Sequence, residues 1–174
     1  MNTTANCLIE LGTEELPPTA LKALSAAFEQ GLLAGLRSAD LSFNTDNVKS
    51  FATPRRLAIL ITDLQTQQPD KNIEKLGPAV AAAYDKEGKP SKAAEGFARS
   101  NGISFNELVT IDTDKGERLG FRSVAKGKAT AELLEGLIAA SLDALPIPKR
   151  MRWGASRAEF VRPVQWLVAL LDSE

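Results

Sequence analysis

Histidine is absent from this chain. That removes Ser-His and Cys-His nucleophilic pairs, HExxH metal sites and every imidazole general base. Cys7 stands alone, which excludes an intrachain disulfide and fits a reducing compartment. In the apolar string CLIEL it reads as a buried filler rather than a nucleophile. A tetrahedral zinc site would need mostly carboxylate donors, an unusual set, and no metal site is expected. No two glycines stand two apart, so there is no G-x-G-x-x-G phosphate loop. Gly127-Lys128 lacks the upstream glycine and following Ser/Thr of a Walker loop. No apolar run approaches the ~20 residues of a membrane span. The opening MNTTANCLIELGTEEL has no basic segment ahead of a long apolar one, unlike a secretory signal. A cytoplasmic protein without membrane contact is the expectation.

What is present is ordinary in bulk and uneven in detail. At 174 residues, 44% apolar and 25% charged, the chain fits one large domain or two small ones. Its net charge is −1, so it has no global basic field. Residues 1–50 nevertheless carry six acids against three bases, and residues 144–162 carry five bases against one acid, Glu159. The centre of that asymmetry is ALPIPKRMRWG at 144–154. It has a bland reading, a solvated connector. Its functional reading is an anion-holding surface. Proline-fixed backbone loses little entropy on binding, the forks of Arg150 and Arg152 suit phosphate, and Trp153 offers a stacking face. Lys149 adds charge, and Arg55, Arg56 and Arg162 are further candidates.

Three apparent motifs weaken on inspection. Ser123-Val-Ala-Lys126 matches S-x-x-K but sits in an alternating, strand-like stretch, where residues three apart face opposite sides. Asp112-Thr-Asp114-Lys-Gly116 resembles the start of a calcium loop, yet its twelfth position is Ser123, so a hairpin turn explains it better. Glu14-Glu15 could form an acid/base or ligand pair. Its place just before a helix favours a structural reading through the helix dipole.

Coarse periodicity predicts an α+β fold, a mixed or antiparallel sheet packed with several helices. Cys7–Leu11 reads as a strand. Pro17 and Pro18 suit a first helical turn, and Leu21, Leu24, Phe28, Leu32 and Leu36 mark one helical face. Gly31 and Gly35 form a small-xxx-small pair for close packing. Val48–Ala52 and Leu57–Leu64 read as strands joined at Thr53-Pro54-Arg55-Arg56. Residues 65–90 read as polar, broken by Pro69, Gly77-Pro78 and Gly88, with a short helix near 78–84. Ser91 caps a helix ended by Gly102, and Ser104-Phe-Asn-Glu107 is a capping box. Val109–Asp112 and Leu119–Ala125 form a hairpin. Thr130 reads as the cap of a helix carrying Leu134, Ile138, Leu142 and Leu145. Phe160–Leu171 reads as one apolar strand or, failing that, a helix. Two lobes are compatible with this pattern, about 1–66 with 145–174, and about 67–144.

Five blocks in order carry a resemblance: LIELGTEELPP (8–18), FATPRRLAIL (51–60), GKPSKAAEGFARSNGI (88–103), LPIPKRMRWG (145–154) and EFVRPVQWLVALL (159–171). Together they resemble the β subunit of the bacterial heterotetrameric glycyl-tRNA synthetase, over almost the whole chain. That subunit is several times longer, so the chain is expected to be its N-terminal portion.

The resemblance implies roles that composition and spacing do not show. The family's α2β2 enzyme joins glycine to tRNA-Gly using ATP. The α subunit holds the active site with ATP and Mg2+, and the β subunit mainly recognises tRNA. No cofactor is expected in this chain, and the segment alone is expected to be inactive. Partners implied are the α subunit, the remainder of the β subunit and tRNA-Gly. Candidate tRNA contacts are Arg55, Arg56, Lys149, Arg150, Arg152, Trp153 and Arg162. The alternative is a protein-docking module without RNA contact, with Thr13, Glu14, Glu15, Phe97 and Phe105 as candidate contacts. One departure stands out: the family often reads FVRPVHW where this chain has Gln165, which keeps a donor and an acceptor but cannot titrate.

Overall fold

The computed structural model of the chain describes residues 3–85, 89–114, 116–152, 155, 157 and 159–173. Gly88, Lys115 and Trp153, each singled out in the sequence, lie outside them. In chain order the elements are β1 (Thr4–Thr13), α1 (Pro18–Ser38), β2 (Val48–Thr53), β3 (Arg56–Gln65), β4 (Lys71–Ala79), α2 (Val80–Ala83) and α3 (Lys92–Ser100). There follow β5 (Val109–Thr113), β6 (Gly116–Ala125), α4 (Thr130–Asp143), β7 (Met151–Arg152), β8 (Glu159–Phe160) and β9 (Val164–Leu171). The class is α+β with antiparallel sheets. Two compact units form, Met1–Pro69 with Gly127–Glu174, and Asp70–Lys126.

The first unit is organised by β1. Its sheet runs β2-β3-β1-β9, with every neighbour antiparallel. Side chains alternate across a strand, so Cys7, Ile9 and Leu11 share one face with their partners Ile61, Ile59 and Leu57 on β3. Against that face α1 lays Leu24, Phe28, Leu32 and Leu36, all buried. Burying side chains of this size contributes roughly 1.5–3 kcal/mol each, so this strip outweighs any polar contact in the unit. α4 lies against α1 where the two glycines are: a Cβ on Gly31 would stand 3.2 Å from Ser141 Cβ, and one on Gly35 3.1 Å from Leu137 Cδ2. The small-xxx-small spacing does permit the close approach.

Three expectations need correction here. α4 belongs to the first unit, not to the 67–144 lobe, because its apolar side, Leu134 and Ile138, completes the core beneath α1. Thr130 does not cap it. Ala129 holds the cap position, and the buried Thr130 hydroxyl donates to Gln65 O at 2.6 Å, anchoring the helix to the end of β3. Finally, Phe160–Leu171 is not one element. Phe160 ends β8, which pairs with β7, while β9 begins at Val164 and pairs with β1. Pro163 lies in the break, where it has no N–H to give a ladder.

The second unit has the strand order β4-β6-β5. β4 occupies a stretch whose polarity reads as loop. Lys71, Glu74 and Lys75 suit an edge strand, and Gly77-Pro78 falls where its register on β6 shifts, between Leu76 and Ala79. The helix expected near 78–84 shrinks to the four residues of α2. Ser91 caps α3 through the Ala94 N–H at 3.3 Å, and Gly102 follows it at φ +69°. The hairpin closes at Gly116, φ +98°. Ala83, Ala94 and Leu119 are buried together, with Phe105 and Leu108 against them.

Two measurements follow. The Ser104 N–H donates to Glu107 Oε2 at 2.7 Å, and the Ser104 side chain adds a second bond. Together they hold the Glu107 carboxyl below its ordinary value of 4.5. A depressed folded pKa stabilises above the unfolded pKa, and that stability is lost as pH falls through the folded value. Glu107→Gln should therefore lower the thermal midpoint of the second unit at neutral pH, with the gap to the parent chain closing in acid. In the first unit, burial pushes the Cys7 thiol up to about 11. Cys7 should resist a thiol reagent in the folded chain and react in step with denaturant-induced unfolding.

Candidate nucleic-acid interface

β1 runs out at Thr13, at the same end of its sheet as the β2–β3 turn and the start of β9. Thr13 N donates to Arg55 O at 2.9 Å, Glu14 N to Pro163 O at 2.9 Å and Leu16 N to Pro54 O at 2.6 Å. The GTEEL segment is thus clasped between the TPRR and VRPVQ segments by backbone alone. Side chains add a second layer. Arg55 Nη2 pairs with Glu15 Oε1 at 3.3 Å, and Gln165 Nε2 donates to Glu14 Oε1 at 2.8 Å. Arg162 donates from Nε to Glu15 O and from Nη1 to Val161 O, both at 3.0 Å, and its Nη1 lies 3.8 Å from Met151 Sδ. That last contact brings β7, and with it the basic strip, to the clasp.

Within the strip the cations have different employment. Arg150 Nη2 donates to Asp143 O at 2.8 Å, satisfying a carbonyl at the end of α4. Arg152 Nη2 pairs with Glu159 Oε1 at 2.7 Å across the β7–β8 ribbon. Lys149 is exposed and makes no hydrogen bond to another described residue. Glu14 and Glu15 do not serve the helix dipole, because α1 begins with Pro17 at its cap and has no acid in its first turn. Thr13 is buried, and its hydroxyl has no partner among the described residues. Phe97 and Phe105 lie in the second unit and are half-buried in its own packing. Phe97 covers Gly77 and sits 6.2 Å from Phe121, and Phe105 meets Tyr84 edge-to-face at 5.8 Å.

One cluster escapes a reading of the sequence. Arg56, Gly12 and Trp166 lie in one row across three strands, on the sheet face opposite the core. The indole leans over Gly12, where a Cβ would stand 2.1 Å from the ring. Its Nε1 donates to Glu10 Oε1 at 2.9 Å. Arg56 reaches Glu10 Oε2 at 3.8 Å and stands 5.4 Å from the ring centroid. A glycine within an apolar strand and a tryptophan in a second one are the available signals, but neither reveals the register that joins them.

The arrangement can hold an extended anion. Its exposed ion pairs contribute little to stability, about 0–1 kcal/mol each, so their cations can turn to phosphate at small cost. Arg162 differs, since it bonds two backbone carbonyls. Arg162→Ala should lower unfolding free energy by about 1–3 kcal/mol. Arg162→Lys should recover only part, because an ammonium cannot reproduce the fork. Urea denaturation of both variants checks this, and equal stability of all three chains would contradict it.

A family model described as glycyl-tRNA synthetase beta subunit matches residues 7–174. The chain is 58% identical over 171 residues to the glycine–tRNA ligase beta subunit of Marinobacter nauticus, covering 98% of this chain and 24% of that protein. The beta subunits of Glaesserella parasuis and Chromohalobacter salexigens are 54% and 50% identical, over 99% and 96% of this chain. The chain spans about a quarter of the length of these curated relatives. It belongs to the glycyl-tRNA synthetase β-subunit family.

Proposed function

We propose that this chain serves glycyl-tRNA synthetase as a non-catalytic, tRNA-contacting segment of the β subunit. The supporting observation is the clasp, which gathers cations from two distant parts of the chain, Arg55 on one side and Lys149 to Arg152 with Arg162 on the other, at one end of the four-stranded sheet. ATP and Mg2+ bind the α subunit in this reading, where glycine is activated, and the α2β2 enzyme works in the cytoplasm. This segment alone forms no glycyl-tRNA. Phosphate contacts are electrostatic and release counterions, so affinity for RNA falls steeply with salt.

The test is an anisotropy titration of labelled tRNA-Gly, with a non-cognate tRNA alongside, at several salt concentrations. A triple Arg55→Ala, Lys149→Ala, Arg152→Ala variant spares Arg150, which holds the end of α4. It should bind both RNAs more weakly, with the salt slope shallower by about one unit for each phosphate no longer neutralised. Unchanged affinity and slope would remove these residues from the interface.

A second reading draws on a different observation. An apolar groove of about 580 Å³ lies between α4 and β9, lined by Leu134, Ile138, Leu142, Leu167, Ala169 and Leu171. β9 is also the end strand of its sheet. Such an edge accepts a further strand, from the α subunit or elsewhere in the β subunit. Co-purification with the α subunit that survives high salt without RNA would favour this reading, because apolar contacts outlast screened ones.

A further inference from the structure

The face of the four-stranded sheet opposite the core leaves Phe51, Trp166 and Leu170 exposed, with Leu8 and Leu60 half-buried beside them. By register it carries Phe51, Leu60, Leu8 and Leu170, together with the Arg56–Glu10–Trp166 cluster. We propose that this face holds an unpaired stretch of RNA, with one base stacked on Trp166 and another on Phe51. The proposal rests on the RNA-contact reading above and gives it a second surface, distinct from the phosphate-holding clasp.

Three features of this face argue for a base. The indole is fixed at both ends of its reach: Gly12 leaves it room to lie over the sheet, and Glu10 holds its Nε1. A ring so fixed is 39% exposed, and the Arg56 guanidinium 5.4 Å from its centroid must turn to a phosphate for a base to take the outer π-face. Stacking of this kind tolerates any base. The ionic groups are matched to a phosphodiester as well. Glu10, in the next row of the same face, has both carboxylate oxygens engaged, by Trp166 and by Arg56. Lys49, by register on the same face, is exposed, and its side chain makes no hydrogen bond to another described residue. Finally, Phe51 is 52% exposed on β2. It lies three strands from Trp166, roughly 15 Å away at ordinary strand spacing, a gap that a few extended nucleotides bridge. An open antiparallel sheet that stacks bases on surface aromatics is an established way to take single strands. A protein layer would favour apolar residues throughout, whereas here the row nearest the clasp is cationic and aromatic.

The experiment uses this chain with Trp153→Phe, which leaves Trp166 as the sole tryptophan. The probe is a six-nucleotide oligoadenylate, with an RNA duplex of equal charge as control. The oligoadenylate should quench Trp166 emission and the duplex should not. Phe51→Ala and Trp166→Ala should each weaken oligoadenylate binding at least five-fold, from about 1–3 kcal/mol per stacked base. Trp166→Phe, which keeps a ring over Gly12, should retain most of the affinity and controls for folding. If tRNA binds while emission and both alanine variants stay unchanged, the clasp reading survives and this face is not its second surface. Binding of neither tRNA nor oligoadenylate overturns both readings. An emission change on adding the α subunit, with none on adding RNA, would assign the face to protein contact and overturn the proposal.

Discussion

β1 is the strand on which the first unit depends. It pairs along nearly its whole length with β3 on one side and β9 on the other. Its alternate residues Cys7, Ile9 and Leu11 form the floor on which α1 rests. A one-residue slip would turn that floor to solvent, so the apolar alternation fixes the register. Register in turn fixes everything at the sheet's end. Gly12 meets both Arg56 and Trp166 because Leu11 meets Leu57 and Leu167. The candidate interface is therefore a consequence of core packing, carried outward by strand geometry rather than built by a local motif.

The cations of the interface divide by what they bond. Arg150 and Arg162 donate to backbone carbonyls, which cannot move away, and so they hold the chain's path. Arg55 and Arg152 pair instead with carboxylates on exposed side chains. For Arg55 and Glu15 the two side chains are 63% and 71% exposed. Such a pair gains little Coulomb energy in water-like dielectric. A phosphate can replace the carboxylate at small cost, while Glu15 keeps its backbone bond to Arg162. Structural rigidity and exchangeable charge thus reside in neighbouring residues of one cluster.

Local signals are legible in the sequence, and distant ones are not. The face of α1, its two glycines, the cap at Ser91, the box at Ser104 to Glu107 and the β5–β6 hairpin each depend on residues a few positions apart. Thr130 resembles a cap because its true partner, Gln65, is 65 residues away. β4 is hidden because an edge strand can be polar on both faces, which leaves no period-two pattern to find. The basic strip is legible as charge, but its division into helix end, ribbon pair and free lysine depends on Asp143 and Glu159 being brought to it. The Trp166 cluster is the extreme case, with Glu10 and the indole 156 residues apart.

Gln165 shows how one substitution can alter the clasp's chemistry without altering its form. Its amide donates to Glu14 Oε1 at 2.8 Å, closing the side-chain layer between the start of β9 and the end of β1. A histidine at this place, the residue that the family resemblance leads one to expect, would behave differently. An imidazole beside a carboxylate is drawn toward its charged form, and its bond would strengthen and weaken across the pH range where histidine titrates. The amide keeps the donor and gives up the titration. Because the chain has no histidine and Cys7 is buried with its thiol pushed up to about 11, the first unit keeps neither kind of near-neutral switch. What remains in the side-chain layer is an amide bond and the exposed Arg55–Glu15 pair, and added salt screens the second while leaving the first in place.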